Sequence, residues 1–278
     1  MMSTRKNTCI AVANQKGGCG KTTTAVNLSA CLADKGERVL MMDLDPQSHA
    51  TVGLAGPTAA EGPGLAEILG GWARAEETIQ QVGDGLDVVA SSWRLADIES
   101  RLIRQDTGPT FLAELLDGLP RPYDRIILDC PPSTGLITRA ALAAAGLVLV
   151  PVETSYFALY GVGRMLSLVE EEEQRRRGTV PCRVLLTMFD RRTRLAREVL
   201  RQAREHFGPR LLNVVIAGNV SLREAAARGC PITSYRRRSR GFRDHMELRE
   251  EVIATLSAAK PEPHARDSAA AGGSPWKI

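Results

Sequence analysis

An apolar run, Thr8–Ala13, leads into Asn14-Gln15-Lys16-Gly17-Gly18-Cys19-Gly20-Lys21-Thr22-Thr23 and then into a stretch that reads as a helix over Thr22–Lys35. A buried strand, a glycine-rich turn and a helix start must therefore meet at one point. Gly17, Gly18 and Gly20 allow backbone conformations closed to other residues, so successive N–H groups can converge on an anion at the positive end of the helix. The predicted phosphate-binding residues are Lys16, Gly17, Gly18, Cys19, Gly20, Lys21, Thr22 and Thr23. Lys21 would place its ammonium on β- and γ-phosphates, and the Thr22 hydroxyl would ligate Mg²⁺. The loop departs from G-x-x-x-x-G-K-[ST], because Gln15 stands where the first Gly belongs and a second lysine, Lys16, follows it.

Two further strand ends carry carboxylates. Met41-Met42-Asp43-Leu44-Asp45-Pro46-Gln47 puts Asp43 and Asp45 two residues apart, on one face at the C-terminal edge of a strand. Acids at that edge are costly unless a metal or a water needs orienting. Arg125-Ile126-Ile127-Leu128-Asp129, followed by Cys130-Pro131-Pro132, is an apolar run ending in one acid, and Asp129 would hold Mg²⁺ through water.

Short apolar runs alternate with helical stretches along the chain. Strands are expected at Thr8–Ala13, Arg38–Asp43, Leu86–Ala90, Asp124–Asp129, Gly146–Val152, Cys182–Met188 and Leu211–Ile216. Most lack period-two alternation, as in strands covered on both faces. Helices are expected at Thr22–Lys35, Leu95–Arg104, Pro109–Leu119, Thr134–Ala145, Leu159–Arg177, Thr193–Phe207, Leu222–Arg228 and Gly241–Ser257. The alternation predicts an α/β fold: a doubly wound, mostly parallel sheet with helices on both faces, in one domain over residues 1–259. Gly53–Gly71 reads as a loop with a short helix at Leu65–Leu69, and residues 260–278 as a disordered low-complexity tail.

The K-G-G-x-G-K-T loop, the D-x-D-P-Q strand end and the strand ending in Asp129 resemble, in order, the deviant Walker A ATPases of the ParA/MinD group, and within it the ParA/Soj partition branch. Val150-Pro151-Val152-Glu153 with Tyr156, Ala158, Leu159 and Gly161 resembles the same branch. So do Leu186–Thr193, Asn219–Ala225 and Ser239-Arg240-Gly241, and the likeness spans residues 8 to 257. It implies a P-loop NTPase fold with ATP and Mg²⁺ as cofactors. It makes Lys16 a residue that reaches the nucleotide of a second subunit, so that Lys16, Lys21 and Asp45 form the catalytic set. Asp45 would orient the attacking water, and Asp43 would support the Mg²⁺ shell held by Thr22 and Asp129. The implied partners are a second copy in the ATP state, non-specific DNA of the nucleoid, and a ParB-like or cargo-adaptor protein that stimulates slow hydrolysis. Arg192 matches a DNA-contact position of the family. Gly218 and Ser221 stand where the family often has Arg, and Arg223, Arg236, Arg237, Arg238 and Arg240 are expected to substitute. An alternative is an ATP-switched positioning protein for polar or protein cargo without DNA contact; a metabolic P-loop enzyme is a third reading.

Charge supports a polyanionic partner. Of 36 Lys and Arg, 19 are arginines between Arg175 and Arg249, a stretch holding six acids and no lysine, although the whole chain carries only +4. Arg191, Arg194, Arg197, Arg201 and Arg204 recur at near-helical spacing and predict a basic stripe. No window approaches the roughly 18 apolar residues of a membrane span, so no membrane partner is expected. With its short polar start, the chain is expected to be cytoplasmic, and the resemblance implies that it is nucleoid-associated. The scattered Cys9, Cys19, Cys31, Cys130, Cys182 and Cys230 fit neither zinc nor a disulfide framework.

Overall fold

The computed structural model describes residues 9–258, so the expected tail at 260–278 lies outside the described residues. Eight strands form one sheet: β1 Cys9–Val12, β2 Val39–Asp43, β3 Ile79–Gly83, β4 Leu86–Val89, β5 Arg125–Asp129, β6 Leu147–Glu153, β7 Cys182–Phe189 and β8 Leu211–Ala217. Their order is β3-β4-β2-β5-β1-β6-β7-β8, and every pairing is parallel except β3 with β4. β1 is central, with β5 on one side and β6 on the other. Chain order reverses there, and in a doubly wound sheet that point opens a crevice at the C-terminal edge.

Alternate residues of the strands feed two cores. Ile10, Val12, Val39, Met41, Ile127 and Leu149 point to one face, which is covered by α1 Lys21–Ala33, α2 His49–Ala55, α10 Val220–Ala227, α11 Ile232–Tyr235 and α12 Arg240–Ala258. Ala11, Leu40, Met42, Leu128, Val148 and Val150 point to the other. That face carries α3 Leu65–Gly70, α5 Arg94–Arg104, α6 Phe111–Asp117, α7 Leu136–Ala144, α8 Tyr156–Arg176 and α9 Arg194–Phe207. Burial on both sides explains why these strands show no polar alternation.

Two elements depart from the expected pattern. β3 falls in a stretch carrying Gln80 and Gln81, and it pairs as an antiparallel edge through the Asp84-Gly85 turn, with Gly85 at φ 70°. Asp-Gly between two extended runs is a hairpin signal that apolar periodicity overlooks. α2 occupies His49–Ala55, where Gly53 and the β-branched Thr51 and Val52 weaken helix propensity. Its Gly53 packs against Val26 of α1, with 3.8 Å between an added Cβ and the valine methyl, so tertiary contact overrides propensity. A four-residue helix, α4 Ala75–Thr78, precedes β3.

Candidate nucleotide site

The β1–α1 loop takes the shape its glycines permit. Gly18 and Gly20 sit at φ 73° and 91°, in the left-handed region. Gly20 is the N-cap of α1 and no side chain caps that helix, so the first-turn N–H groups point into the loop. Asn14 and Thr187 brace it. Asn14 Nδ2 donates to Pro151 O at 2.7 Å, and Asn14 Oδ1 accepts the Lys16 N–H at 3.1 Å. Thr187 Oγ1 donates to Cys19 O at 2.8 Å. Cys19 is buried, its Sγ donates to Lys16 O at 3.2 Å, and desolvation raises its pKa. It is therefore a packing residue of the loop and not a reactive thiolate.

The two lysines occupy different environments. Lys21 is 7% exposed and donates from Nζ to Lys16 O at 2.9 Å. Lys16 projects to the surface, where its Nζ meets Glu153 Oε2 at 2.6 Å. One ammonium lies inside the phosphate loop and the other outside it, on the end of β6.

Strand register brings the carboxylates together. Asp129 is the Cα partner of Val12 on one side and of Asp43 on the other, so β1, β5 and β2 end side by side. Asp43 and Asp129 are fully buried and Asp45 is 8% exposed. Asp43 Oδ1 accepts the Asp45 N–H at 3.0 Å, and its Oδ2 accepts both the N–H and the hydroxyl of Thr51 at 2.8 Å. Protein donors thus engage both oxygens of Asp43, which holds the Asp45 turn in place beside Asp129. Asp129 has no hydrogen-bond partner on either oxygen, although the Thr22 hydroxyl lies near enough to favour its charged form.

A buried acid with two unpartnered oxygens beside a threonine hydroxyl fits a hard divalent cation. Among the described residues, no group of three or more His, Cys, Asp or Glu forms a dedicated metal cage. The set present suits Mg²⁺, which takes few protein ligands and completes its shell with water and phosphate oxygens.

Desolvation pushes the Asp43 pKa up to about 6 and that of Asp129 well above the usual range; the Asp45 charge adds to the rise at Asp43, and the Asp43 and Asp45 charges add to it at Asp129. The folded state therefore holds these protons more tightly than the unfolded chain. The Asp43 contribution to stability is present at low pH and is lost as pH rises from about 4, the unfolded value, through about 6, and the Asp129 contribution is lost over the same direction of pH. Asp129→Asn should accordingly raise the melting temperature of the metal-free, nucleotide-free protein by about 3–8 °C at pH 8. The gain should be smaller at pH 5, and calorimetry at the two pH values checks it; a lower melting temperature at pH 8 would contradict the burial penalty on the Asp129 charge.

A cavity of about 330 Å³ opens beside the loop, lined by Gly20, Thr187, Met188, Gly218, Asn219 and Arg223 among others. Its size suits a nucleoside. Sequence reasoning singled out Thr187, Met188 and Asn219 as family-like but assigned them no base contact, because no spacing rule links the ends of β7 and β8 to β1. Met188 has a left-handed backbone, φ 55°, and is 46% exposed at the cavity rim.

The arginines divide into paired and unpaired. Arg192 is exposed but clamped by Asp190, with contacts at 3.0 and 2.9 Å that hold the Asp190 carboxyl down at about 2. Arg237 makes a two-point contact to Asp34 at 2.7 Å and lies over the Phe242 ring, and Arg240 faces Asp244 at 3.5 Å. Those two therefore differ from the free basic run expected of Arg236–Arg240. Arg201 is neutralised by Glu198 and Glu205, which interrupts the expected α9 stripe. Arg223, Arg236 and Arg238 are exposed and have no carboxylate partner among the described residues.

A glycine loop at a helix start, a lysine buried within it and an unpartnered aspartate on the neighbouring strand define a P-loop NTPase. Residues 7–180 match the AAA domain family model AAA_31. The chain is 40% identical to the sporulation initiation inhibitor protein Soj of Bacillus subtilis, covering 88% of this chain and 98% of that protein. It is 41% identical to the chromosome-partitioning ATPase Soj of Thermus thermophilus, covering 90% and 97%. Among solved structures, the cobyrinic acid a,c-diamide synthase of Mycobacterium smegmatis with bound ATP analogue and magnesium superposes with a TM-score of 0.77 at 28% identity, over 92% of this chain and 98% of that one. The chain belongs to the ParA/Soj family of chromosome-partitioning ATPases. No described helix is long and apolar enough to cross a membrane.

Proposed function

We propose that this chain is an ATP-driven assembly switch whose nucleotide state sets dimerisation and DNA binding. The observation that carries the reading is the division between its two lysines: Lys21 is buried inside the loop, whereas Lys16 is at the surface, available to a second subunit. ATP occupies the loop with its base in the cavity beside Gly218. Lys21 and the α1 N–H groups bind the β- and γ-phosphates. Thr22 and Asp129 hold Mg²⁺, which supplies charge neutralisation on the phosphates when bound. Asp45, fixed by Asp43, orients the attacking water. Lys16 crosses to the partner's nucleotide and stabilises charge on the transferred phosphoryl group, as an arginine finger does. Turnover stays slow until an activating protein, ParB-like or a cargo adaptor, completes the site. The same cycle would place the protein on the nucleoid while ATP is bound and release it on hydrolysis.

DNA contact is assigned first to Arg223, Arg236 and Arg238, which have no internal acid to displace; Arg192 contributes once Asp190 is released. Binding to random-sequence duplex should require ATP and weaken steeply with salt. Replacing the three unpaired arginines with alanine on both subunits should cut the log–log salt slope by up to about 5. Fluorescence anisotropy across a salt series reads this. ATP-independent or absent DNA binding would instead favour positioning of a protein cargo. The near full-length identity to Soj proteins weighs against a metabolic enzyme.

A further inference from the structure

Lys16 must leave its present position before it can act on another subunit, and the structure shows what holds it. Its ammonium is 2.6 Å from Glu153 Oε2, and the two side chains are 43% and 37% exposed. Glu153 is the last residue of β6, and that strand end is wired into the phosphate loop at two other points. Asn14 Nδ2 bonds to Pro151 O, two residues earlier. Thr154, the next residue, donates from its N–H and its hydroxyl to Thr187 O at 3.0 and 2.7 Å, and Thr187 Oγ1 reaches Cys19 O. Glu153 therefore has little freedom to follow Lys16 outward. The Lys16 carbonyl faces the other way, into the loop, where it accepts from Lys21 Nζ at 2.9 Å and from Cys19 Sγ at 3.2 Å. Each lysine is thus parked on a protein oxygen: Lys21 on Lys16, and Lys16 on Glu153.

We propose that Glu153 is a latch: it retains Lys16 on its own subunit and so opposes ATP-dependent pairing of two copies until the partner's phosphate outcompetes the carboxylate. The inference rests on the trans role of Lys16 given above. A triphosphate with several anionic oxygens outweighs one exposed carboxylate, so the latch tunes the dimerisation threshold without preventing assembly. It also keeps Lys16 away from the nucleotide of its own subunit. Exposed ion pairs of this kind are worth up to about five-fold in an equilibrium constant, and each dimer opens two of them. Removing the carboxylate should tighten the dimer about 5- to 20-fold.

Sedimentation velocity with a non-hydrolysable ATP analogue and Mg²⁺ tests this on the full chain. Glu153→Gln, which keeps the side-chain volume, should lower the dimer dissociation constant by that factor at low salt. The difference should shrink as added salt screens the pair in the wild type. Glu153→Ala must agree in direction, and melting curves show whether each variant is folded. Glu153→Gln that dimerises no better than wild type, while Lys16→Ala still fails to dimerise, overturns the latch alone. Lys16→Ala that dimerises normally overturns the trans role beneath it.

Discussion

Lys21→Ala should bind Mg-ATP at least about 100-fold more weakly than the parent chain, and calorimetric titration would detect no heat at micromolar protein. The lysine sits on the first turn of α1, 7% exposed, and its Nζ donates to the neutral carbonyl of Lys16. A buried ammonium resting on a single neutral acceptor is poised to exchange it for anionic oxygens. Charge-assisted hydrogen bonds contribute about 1.5–3 kcal/mol each, so losing two to the β- and γ-phosphates costs about 3–5 kcal/mol, or two to three orders of magnitude in affinity. Lys21 also lowers the pKa of Asp129 through its charge. Its removal should therefore leave Asp129 still harder to ionise and weaken Mg²⁺ capture as well. Binding within a few-fold of the parent would remove Lys21 from the phosphate site.

Asp45→Ala should leave ATP binding near normal while turnover falls by about two orders of magnitude or more. Asp45 lies at the open end of the β2 strand, 8% exposed, and its Oδ1 accepts the Gln47 N–H at 2.9 Å. Its own N–H is tied to Asp43, so one oxygen and the backbone fix the carboxyl while the second oxygen remains for a water. In the proposed function this fixed carboxylate orients the nucleophile without itself binding the nucleotide. The variant should therefore accumulate as an ATP-bound dimer that stays on DNA. Single-turnover phosphate release and DNA residence time measure the two effects. Normal turnover would show that another group positions the water.

These two predictions concern residues whose chemistry was legible from local order. Gly-Lys-Thr at a helix start and acids at strand ends are short-range patterns, set by backbone sterics and side-chain alternation over fewer than ten residues. The parallel sheet was legible for the same reason: continuous apolar runs imply burial on both faces. β3 and α2 escaped because their stability comes from pairing and packing with distant segments, which outweigh the weak propensities of Gln80, Gln81 and Gly53. The status of individual arginines was equally hidden. Spacing put Arg236, Arg237, Arg238 and Arg240 in one run, but Asp34, 203 residues before Arg237, claims one of them.

The phosphate loop and its second lysine follow from residue order alone, since glycines and a helix start restrict the backbone wherever the rest of the chain goes. What that second lysine does between reactions does not follow from order. Lys16 and Glu153 are separated by 137 residues and meet because β6 pairs with β1 in parallel register. The same register decides that Asp43 faces Asp129, that Asp43 is consumed by Thr51, and that Asp129 alone keeps both oxygens open. Local sterics specify which groups this chain carries to the sheet edge. Long-range strand pairing, driven by burial of both faces, determines which of those groups are already occupied and which are left for a ligand.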